Sequence, residues 1–190
     1  MASPVGHGLV GVFAYLLIRD KLNAAGVVRL GAVAACVVLA NLPDADFLLP
    51  LLFGEGVNGD YHRAFSHSLV FALAVGLFLG LAWWFRTRDR ARSAPAFSGP
   101  SVALFGALLV GSHMLLDLLG EDHRPPYGVP LWMPFSDRHV IAAWTPFKSI
   151  DHSSLMALVA PANIGAMCWD AVVLAPLLLL AWIWRRGGVD

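Results

Sequence analysis

Five long apolar stretches constrain the fold of this chain more than any other feature of its sequence. They are Val5–Ile18, Val27–Leu42, Ser66–Phe85, Val102–Leu119 and Trp169–Trp184. A helix that crosses the hydrocarbon core of a membrane needs about 20 residues, within a working range of about 17–25. The third and fourth stretches meet this length, and the second and fifth reach it with their flanking residues. The sequence therefore predicts an all-α, polytopic membrane bundle of about five helices in one domain, residues 1–190.

Composition supports a membrane protein and excludes several other classes. Hydrophobic residues make up 58% of the chain and charged residues 14%, against about 45–50% and about 25% in soluble domains. The 13 basic and 13 acidic residues give no net charge, which argues against a nucleic-acid-binding surface. The two cysteines, Cys36 and Cys168, lie at different apolar stretches, so no disulfide framework is predicted.

The first stretch, Val5–Ile18, is too short for a standard crossing. A short span, a re-entrant helix and an uncleaved signal are all compatible with its length. It is preceded by no basic residue and followed by no clear cleavage site, so we interpret it as retained structure.

Basic residues are distributed unevenly between the two predicted membrane faces. Nine of the 13 fall on one face: Arg19, Lys21, Arg29, Arg86, Arg88, Arg90, Arg92, Arg185 and Arg186. Because basic residues favour the cytoplasmic side, five crossings would place the N-terminus outside and the C-terminus inside. The basic connector Arg86–Gly99 is interpreted as an inner anchor, with anionic-lipid recognition as the lesser alternative.

Histidines and aspartates gather at the opposite, outer face. Seven such residues from four stretches fall there: His7, Asp44, Asp46, His62, His67, His113 and Asp117. Ionisable side chains near membrane depth are costly and usually face the protein interior or a wet cavity. Their convergence indicates a site that contains several imidazole and carboxylate groups.

The spacing of His113 and Asp117 places both on one face of a helix, because residues four apart are neighbours there. Both could bind one metal ion, or Asp117 could instead orient His113. A hydrogen bond that only satisfies two buried polar groups is the third alternative.

Asp44 and Asp46 follow Pro43, which disfavours helical geometry in the residue before it. One carboxylate could bind a metal while the other acts as a base or bridges two ions. A simple turn or helix-end cap is equally compatible with this pattern.

The segment His62–Ser68 combines two histidines with a basic residue. Ser66 is a candidate N-cap for the third stretch, with His62 in the preceding loop and His67 in the first helical turn. Arg63 could bind an anionic group such as phosphate, or it could simply face lipid headgroups.

The region Gly120–Cys168 is long, aromatic and proline-rich, and we expect it to cover the outer face. A short helix is predicted at Ser153–Leu158. Three further histidines in this region could line a substrate entrance, although simple exposure is the better interpretation: His123, His139 and His152. Within the third stretch, Gly76 and Gly80 would allow close helix packing, inside the chain or between chains.

The order of these motifs resembles the membrane-bound, metal-dependent hydrolases, also described as LexA-binding, inner-membrane-associated hydrolases. The resemblance rests on His7, Leu42-Pro-Asp-Ala-Asp46, His62-Arg-Ala-Phe-Ser-His67-Ser68 and Ser112-His-Met-Leu-Leu-Asp117. It covers roughly the first two thirds of the chain. Ser66 stands where the family has threonine, which keeps the hydroxyl group. The resemblance implies metal-dependent hydrolysis in the inner membrane of a bacterium or archaeon, without naming a substrate.

These observations lead to a hypothesis of metal-dependent hydrolysis at the outer membrane face. Zinc is the first candidate and manganese the second, with one or two ions held by the seven convergent residues. The predicted catalytic residues are Asp46, Arg63 and His67. The site's position favours a lipid-borne substrate, and Arg63 favours a phosphoester. The alternatives are a cation or proton transporter or sensor and a metal-binding scaffold without catalysis.

Overall fold

Helices are the main regular secondary structure of the protein in a computed structural model that describes residues 1–24, 27–53, 62–88, 97–123, 125–151 and 154–187. Its α-helices are α1 (Pro4–Ala24), α2 (Arg29–Ala40), α3 (Leu49–Leu52), α4 (Leu69–Thr87), α5 (Gly99–Leu118), α6 (Leu155–Leu158) and α7 (Pro161–Gly187). Two 3-10 helices, Leu42–Leu48 and Phe65–His67, complete the helical elements. The predicted all-α membrane bundle is confirmed.

Among the described residues, three helices are long and apolar enough to cross a membrane: α4, α5 and α7 up to Arg186. The second predicted stretch is broken, because α2 and the 3-10 helix Leu42–Leu48 meet at an angle of 66°. Together these two would form a fourth span or a re-entrant loop. The first helix is outside this set, since charged residues fill its last turns: Arg19, Asp20 and Lys21.

The long helices alternate in direction, so each end of the bundle collects defined parts of the chain. Helix α1 packs against α2 and α7, while α4 packs against α5. The start of α1, the end of α2, the start of α4 and the end of α5 share one end, which we call the site end. At the opposite, distal end, Arg185 of α7 pairs with Asp20 of α1 at 2.6 Å. Which end faces the cytoplasm stays a prediction.

Helices α4 and α5 approach so closely that only small residues fit between them. A Cβ atom on Gly76 would lie 2.4 Å from the Ala103 carbonyl oxygen, and one on Gly80 would lie 2.6 Å from the Ala103 Cβ. The small residues predicted to permit close packing therefore do so within the chain. This contact fixes the relative position of two helices that lead to the site end.

The region after α5 covers the site end, as predicted. Val129 is fully buried with Ala72 of α4 and Met114 of α5, and Leu131 accepts a hydrogen bond from the Leu69 backbone at 3.0 Å. The short helix α6 lies inside the predicted segment Ser153–Leu158, and Ser154 caps it. Ser153 itself lies outside the described residues.

Candidate metal centre

Five of the seven predicted residues meet in the interior at the site end, with Asp46 and His62 directly beside them. We call the whole set the His/Asp centre: His7, Asp44, Asp46, His62, His67, His113 and Asp117. His7 lies in the first turn of α1, whereas His113 and Asp117 lie in the last two turns of α5. The predicted convergence of these residues is therefore present in the structure.

A break after α2 brings the two aspartates into the centre. The Asn41 side chain donates to the Val37 carbonyl at 2.9 Å, and the Asn41 backbone N–H donates to the same carbonyl at 3.2 Å, at the end of α2. Pro43 then lies in the first turn of the 3-10 helix, where its missing N–H is tolerated. A 3-10 helix has about three residues per turn, so Asp44 and Asp46 point in directions about 120° apart. This geometry gives the two carboxylates different neighbours.

Two imidazole nitrogens and two carboxylate oxygens form the core of the centre. The Nε2 atoms of His67 and His113 are 3.2 Å apart. Asp44 Oδ1 lies 3.4 Å and 3.2 Å from these two nitrogens, and Asp117 Oδ2 lies 3.6 Å and 3.3 Å from them. Ligand atoms at tetrahedral angles and 2.0–2.2 Å from zinc would be about 3.3–3.6 Å apart. The observed distances are close to that spacing.

The hydrogen bonds of the two histidines leave proton acceptors facing one another. His113 Nδ1–H donates to the Ala40 carbonyl at 2.9 Å, so in the neutral ring Nε2 carries the lone pair. His67 Nδ1 lies 3.2 Å from Asp46 Oδ2, which assigns its proton in the same way. Lone pairs and carboxylates at such distances repel one another unless a cation lies between them or the imidazoles take up protons. The core therefore has the chemistry of a cation site.

Unsatisfied buried atoms support the same interpretation. Asp44 Oδ1, both oxygens of Asp117 and both ring nitrogens of His7 are buried without a hydrogen-bond partner in the described part of the chain. Asp117 and His7 are each only 1% exposed. Buried polar groups are normally hydrogen-bonded or bound to an ion. Such a concentration of imidazole and carboxylate groups in one place is typical of metal ligands.

His7 extends the core on one side. Its ring stacks on that of His113 with centroids 3.7 Å apart, and its Nε2 atom lies 3.3 Å from Asp117 Oδ1. Three overlapping groups of the centre could hold an ion: His7, Asp44 and His113; Asp44, His62 and His67; and His67, His113 and Asp117. Asp46 belongs to none of these groups.

Asp46 instead holds the segment that carries the two other histidines. Its Oδ1 accepts from His62 Nδ1 at 2.8 Å, and its Oδ2 accepts from Ser66 Oγ at 2.5 Å and from the Arg63 backbone at 3.2 Å. Burial lowers the pKa of His67, but hydrogen bonds to Asp44 and Asp46 more than offset this and raise that pKa above its usual value. Asp46 is thus placed to orient His62 and His67.

Ser66 has a different role from the predicted one. The N-cap of α4 is Ser68, whose side chain accepts from the Phe71 backbone at 3.1 Å. Ser66 lies earlier, in the 3-10 turn Phe65–His67, where it donates to Asp46. His67 is consequently in this 3-10 turn and not in the first turn of α4. The predicted loop position of His62 is confirmed.

Arg63 lies beside the centre, and its guanidinium is held by Asp122. Its backbone has a φ of 65°, a left-handed conformation that is uncommon for residues other than glycine. The side chain pairs with Asp122 of the covering region and lies 3.5 Å from the Pro126 carbonyl. Together with Met1 and His123, Arg63 lines a cavity of about 140 Å³.

Sequence reasoning missed two buried acidic residues near the centre. Asp170, in the early part of α7, is fully buried and accepts from the Ser3 backbone at 2.7 Å. Ser3 Oγ in turn accepts from the Gly6 backbone at 3.1 Å, so Asp170 fixes the start of the helix that carries His7. Asp122 was not singled out because its partner Arg63 is 59 residues away in sequence. The signal for Asp170 in the sequence was its position as an acidic residue inside the fifth apolar stretch, Trp169–Trp184.

The three remaining histidines, the basic connector and the two cysteines do not belong to the His/Asp centre. His123 is exposed and lines the cavity beside Arg63, whereas His139 Nδ1 donates to the Asp137 carbonyl of its own loop at 2.9 Å. His152 lies outside the described residues, as do residues 89–96 of the basic connector. Cys36 and Cys168 are both free.

This geometry defines a class of protein: a membrane-embedded helical bundle with a buried cluster of histidines and aspartates at one end. The chain belongs to the YdjM inner membrane protein family, whose model matches residues 1–188. Membership confirms an inner membrane protein. The family is not defined by an enzymatic activity, so the hydrolase named by the sequence resemblance stays a proposal.

Two curated proteins are similar to the chain. The inner membrane protein YbcI of Escherichia coli (strain K12) is 32% identical over 160 residues, which cover 80% of this chain and 82% of that protein. An undecaprenyl-diphosphatase of Oleidesulfovibrio alaskensis (strain ATCC BAA-1058 / DSM 17464 / G20) is 26% identical over 149 residues. The second match covers 68% of this chain and 50% of the relative. No solved structure matches the chain.

Proposed function

We propose that this protein is a metal-dependent hydrolase of the membrane that cleaves a phosphoester or diphosphate carried by a lipid. One observation carries the proposal: proton acceptors of His67, His113, Asp44 and Asp117 face one another at 3.2–3.6 Å in a buried place. Positive charge among them would satisfy these groups, either as protons on the imidazoles or as a metal ion, and the spacing of the four donor atoms favours the metal ion.

The residues present fit a divalent metal ion. His67, His113, Asp44 and Asp117 would hold it, with His7 as a further candidate ligand. Nitrogen and carboxylate oxygen donors at this spacing suit zinc first and manganese second. Three overlapping ligand groups are compatible with one or two ions. The chemistry that such an ion supplies is the activation of water near neutral pH and the polarisation of a phosphoryl oxygen.

Asp46 and His62 are suited to proton transfer at this place. Asp46 accepts the Nδ1 proton of His62 at 2.8 Å, and this fixes the tautomer in which Nε2 accepts a proton. His62 Nε2 lies 3.8 Å from Asp44 Oδ1. Asp44 is partly exposed and forms the edge of the centre. In our proposal His62 takes a proton from the attacking water, and Asp46 stabilises the imidazolium that forms.

Arg63 is suited to bind the phosphate of the substrate. Its guanidinium lines the cavity of about 140 Å³ next to the centre and is held there by Asp122. Arginine offers several N–H donors in a planar fork, so one can pair with Asp122 while others face an anion. The developing negative charge on the phosphoryl oxygens would be stabilised at this position.

The membrane setting supports a lipid-borne substrate. The centre lies at the end of helices that are apolar enough to span a membrane, which is the depth at which lipid headgroups lie. One relative is named an undecaprenyl-diphosphatase, and a polyprenyl diphosphate is therefore the first substrate to test. The proposed location of the reaction is the outer face of the inner membrane.

The test uses the purified full-length chain in detergent, with metal content per chain and phosphate release from a polyprenyl diphosphate as readouts. We expect stoichiometric metal and hydrolysis in the wild type, and loss of both in His67→Ala and Asp117→Ala. His139→Ala is the matched control, because this histidine lies in the covering loop and bonds only to the loop backbone in the described structure. A thermal melt of each variant checks that it is folded.

The same measurements separate the alternative functions. Protein without stoichiometric metal, or unchanged hydrolysis in both variants, would refute the proposal. Bound metal without hydrolysis of any phosphoester would favour the non-catalytic scaffold. Zinc or proton flux across proteoliposomes that is lost in Asp117→Ala would favour a transporter.

A further inference from the structure

A second polar cleft lies at the distal end of the bundle, far from the His/Asp centre. It has a volume of about 290 Å³ and lies between the end of α1 and the start of α2. The residues that line it are Tyr15, Arg19, Asp20, Asn23 and Arg29. We call it the Arg19–Arg29 cleft. Its volume is close to the lower end of the range for small-molecule sites, about 300–1,000 Å³.

The charges around this cleft leave an excess of positive charge. Asp20 is the acidic residue of the lining, and it is engaged by two arginines: Arg19 Nε lies 3.4 Å from it and Arg185 Nη1 lies 2.6 Å from it. Arg29 forms no hydrogen bond or ion pair with the rest of the described chain and is exposed. The cleft therefore presents at least one unneutralised guanidinium beside the Tyr15 hydroxyl and the Asn23 amide.

The start of α2 adds donors on the same side. Val28 precedes the helix and caps none of its first N–H groups with its side chain. The first N–H groups of a helix attract anions when no side chain satisfies them. Donors and positive charge thus surround one cleft, and this combination favours an anion with several oxygen atoms.

The surroundings of the cleft are those of a membrane boundary. Val28 and Leu30, next to Arg29, are 74% and 79% exposed, although both are apolar. At the same end, Arg185 lies over the Trp184 ring at 4.7 Å and Arg186 over the Trp182 ring at 3.8 Å. Tryptophan and basic residues are typical of the membrane–water interface. Apolar residues beside a basic cleft are what a lipid with an anionic headgroup would contact.

We infer that the Arg19–Arg29 cleft binds the headgroup of an anionic phospholipid, with Arg19 and Arg29 on the phosphate and Val28 and Leu30 against the acyl chains. This site is distinct from the proposed hydrolytic centre, and its occupancy does not depend on metal. The bound lipid would hold α1, α2 and α7 together at the end opposite the centre, because Arg19 also donates to the Arg185 carbonyl at 3.4 Å.

The test is native mass spectrometry of the purified full-length chain with added phosphatidylglycerol or phosphatidylcholine. We expect the wild type to bind phosphatidylglycerol more tightly than phosphatidylcholine. Arg29→Gln should weaken phosphatidylglycerol binding about fivefold, the effect of one basic residue near anionic lipid, and leave phosphatidylcholine unchanged. Arg29→Lys keeps the charge and should restore binding. Arg138→Gln, an exposed arginine of the covering region, is the matched control.

Three results would overturn the inference. The first is equal binding of the two lipids by the wild type, and the second is equal affinity in Arg29→Gln and Arg138→Gln. The third is complete displacement of the lipid by millimolar inorganic phosphate, which would make a soluble phosphate the ligand. A thermal melt shows whether Arg29→Gln is folded, and Tyr15→Phe gives a second test of the same cleft if it is not.

Discussion

The contact between α4 and α5 allows a sharp test of how the fold positions the centre, through the substitution Gly76→Ala. A Cβ atom at this position would lie 2.4 Å from the Ala103 carbonyl oxygen and 2.7 Å from the Ala107 backbone nitrogen. Ordinary contacts of this kind begin near 3.4 Å. Both opposing atoms belong to backbone, so no side-chain rotation relieves the overlap, and the two helices must separate by about 1 Å.

The expected cost follows from two opposing effects. Overpacking of this kind costs about 1–3 kcal/mol, and two backbone contacts place it in the upper half of that range. Alanine is favoured over glycine within a helix by about 1 kcal/mol. The net loss of stability should therefore be about 1–2 kcal/mol. Separation of the helices would also disturb the distances of 3.2–3.6 Å between His67 before α4 and His113 and Asp117 on α5.

The assay compares Gly76→Ala with Gly111→Ala in the same two helices. A Cβ atom on Gly111 would meet only Ala72 Cβ, at 4.0 Å, so this variant should be neutral or more stable than wild type. We expect lower resistance to denaturant in detergent and weaker metal binding in Gly76→Ala alone. Equal stability and equal metal affinity of the two variants would refute the idea that this contact sets the geometry of the centre.

Three further outcomes are expected. Asp46→Asn should lower hydrolysis about 10–100-fold, as loss of an orienting partner does elsewhere, while metal per chain stays stoichiometric; lost metal would instead make Asp46 a ligand. Asp170→Ala should destabilise the start of α1, because it leaves the buried Ser3 N–H unsatisfied at a cost of about 1–3 kcal/mol. The expected result is a lower melting temperature than that of the control variant Asp137→Ala. Metal binding should release protons and weaken as the pH falls, because the raised pKa of His67 keeps its ring protonated above the usual pH range in the absence of metal. Calorimetry in buffers of different ionisation enthalpy measures this proton release. A metal affinity that is independent of pH between pH 5 and 8 would contradict the prediction.

The sequence predicted the centre better than it predicted the elements that build it. His113 and Asp117 could be placed on one helical face because their spacing alone determines this. The convergence of the other residues followed from the alternation of apolar stretches and polar ends. Both inferences depend on period and order along the chain, which a single sequence contains.

Features that depend on long-range contacts were not accessible in this way. The roles of Asp44 and Asp46 differ because a 3-10 helix, and not a turn of other geometry, follows α2. Ser68 and Ser66 are both plausible caps in sequence, and the choice between them depends on the position of Asp46. The pairing of Arg63 with Asp122 joins residues 59 positions apart, and no local pattern indicates it.

The lengths of the helices were also only partly predictable. The fifth stretch, Trp169–Trp184, lies within the longer helix α7, whose start contains Pro161, Asn163 and Gly165 among its apolar residues. The second stretch is divided by the bend after Ala40, although its hydropathy is continuous. Hydropathy reports where lipid can lie but does not report where the backbone changes direction.

The ligand atoms of the centre come from widely separated parts of the chain, and this has a consequence for biosynthesis. His7 is made first and Asp117 last, with Asp44 and His67 between them. Asp44, His62 and His67 offer three ligands before α5 is made, but the proposed four-ligand core also needs His113 and Asp117 of α5. That core would therefore be complete only after α5 has met α4, and a chain that stops before α5 would lack both the core and the proposed activity.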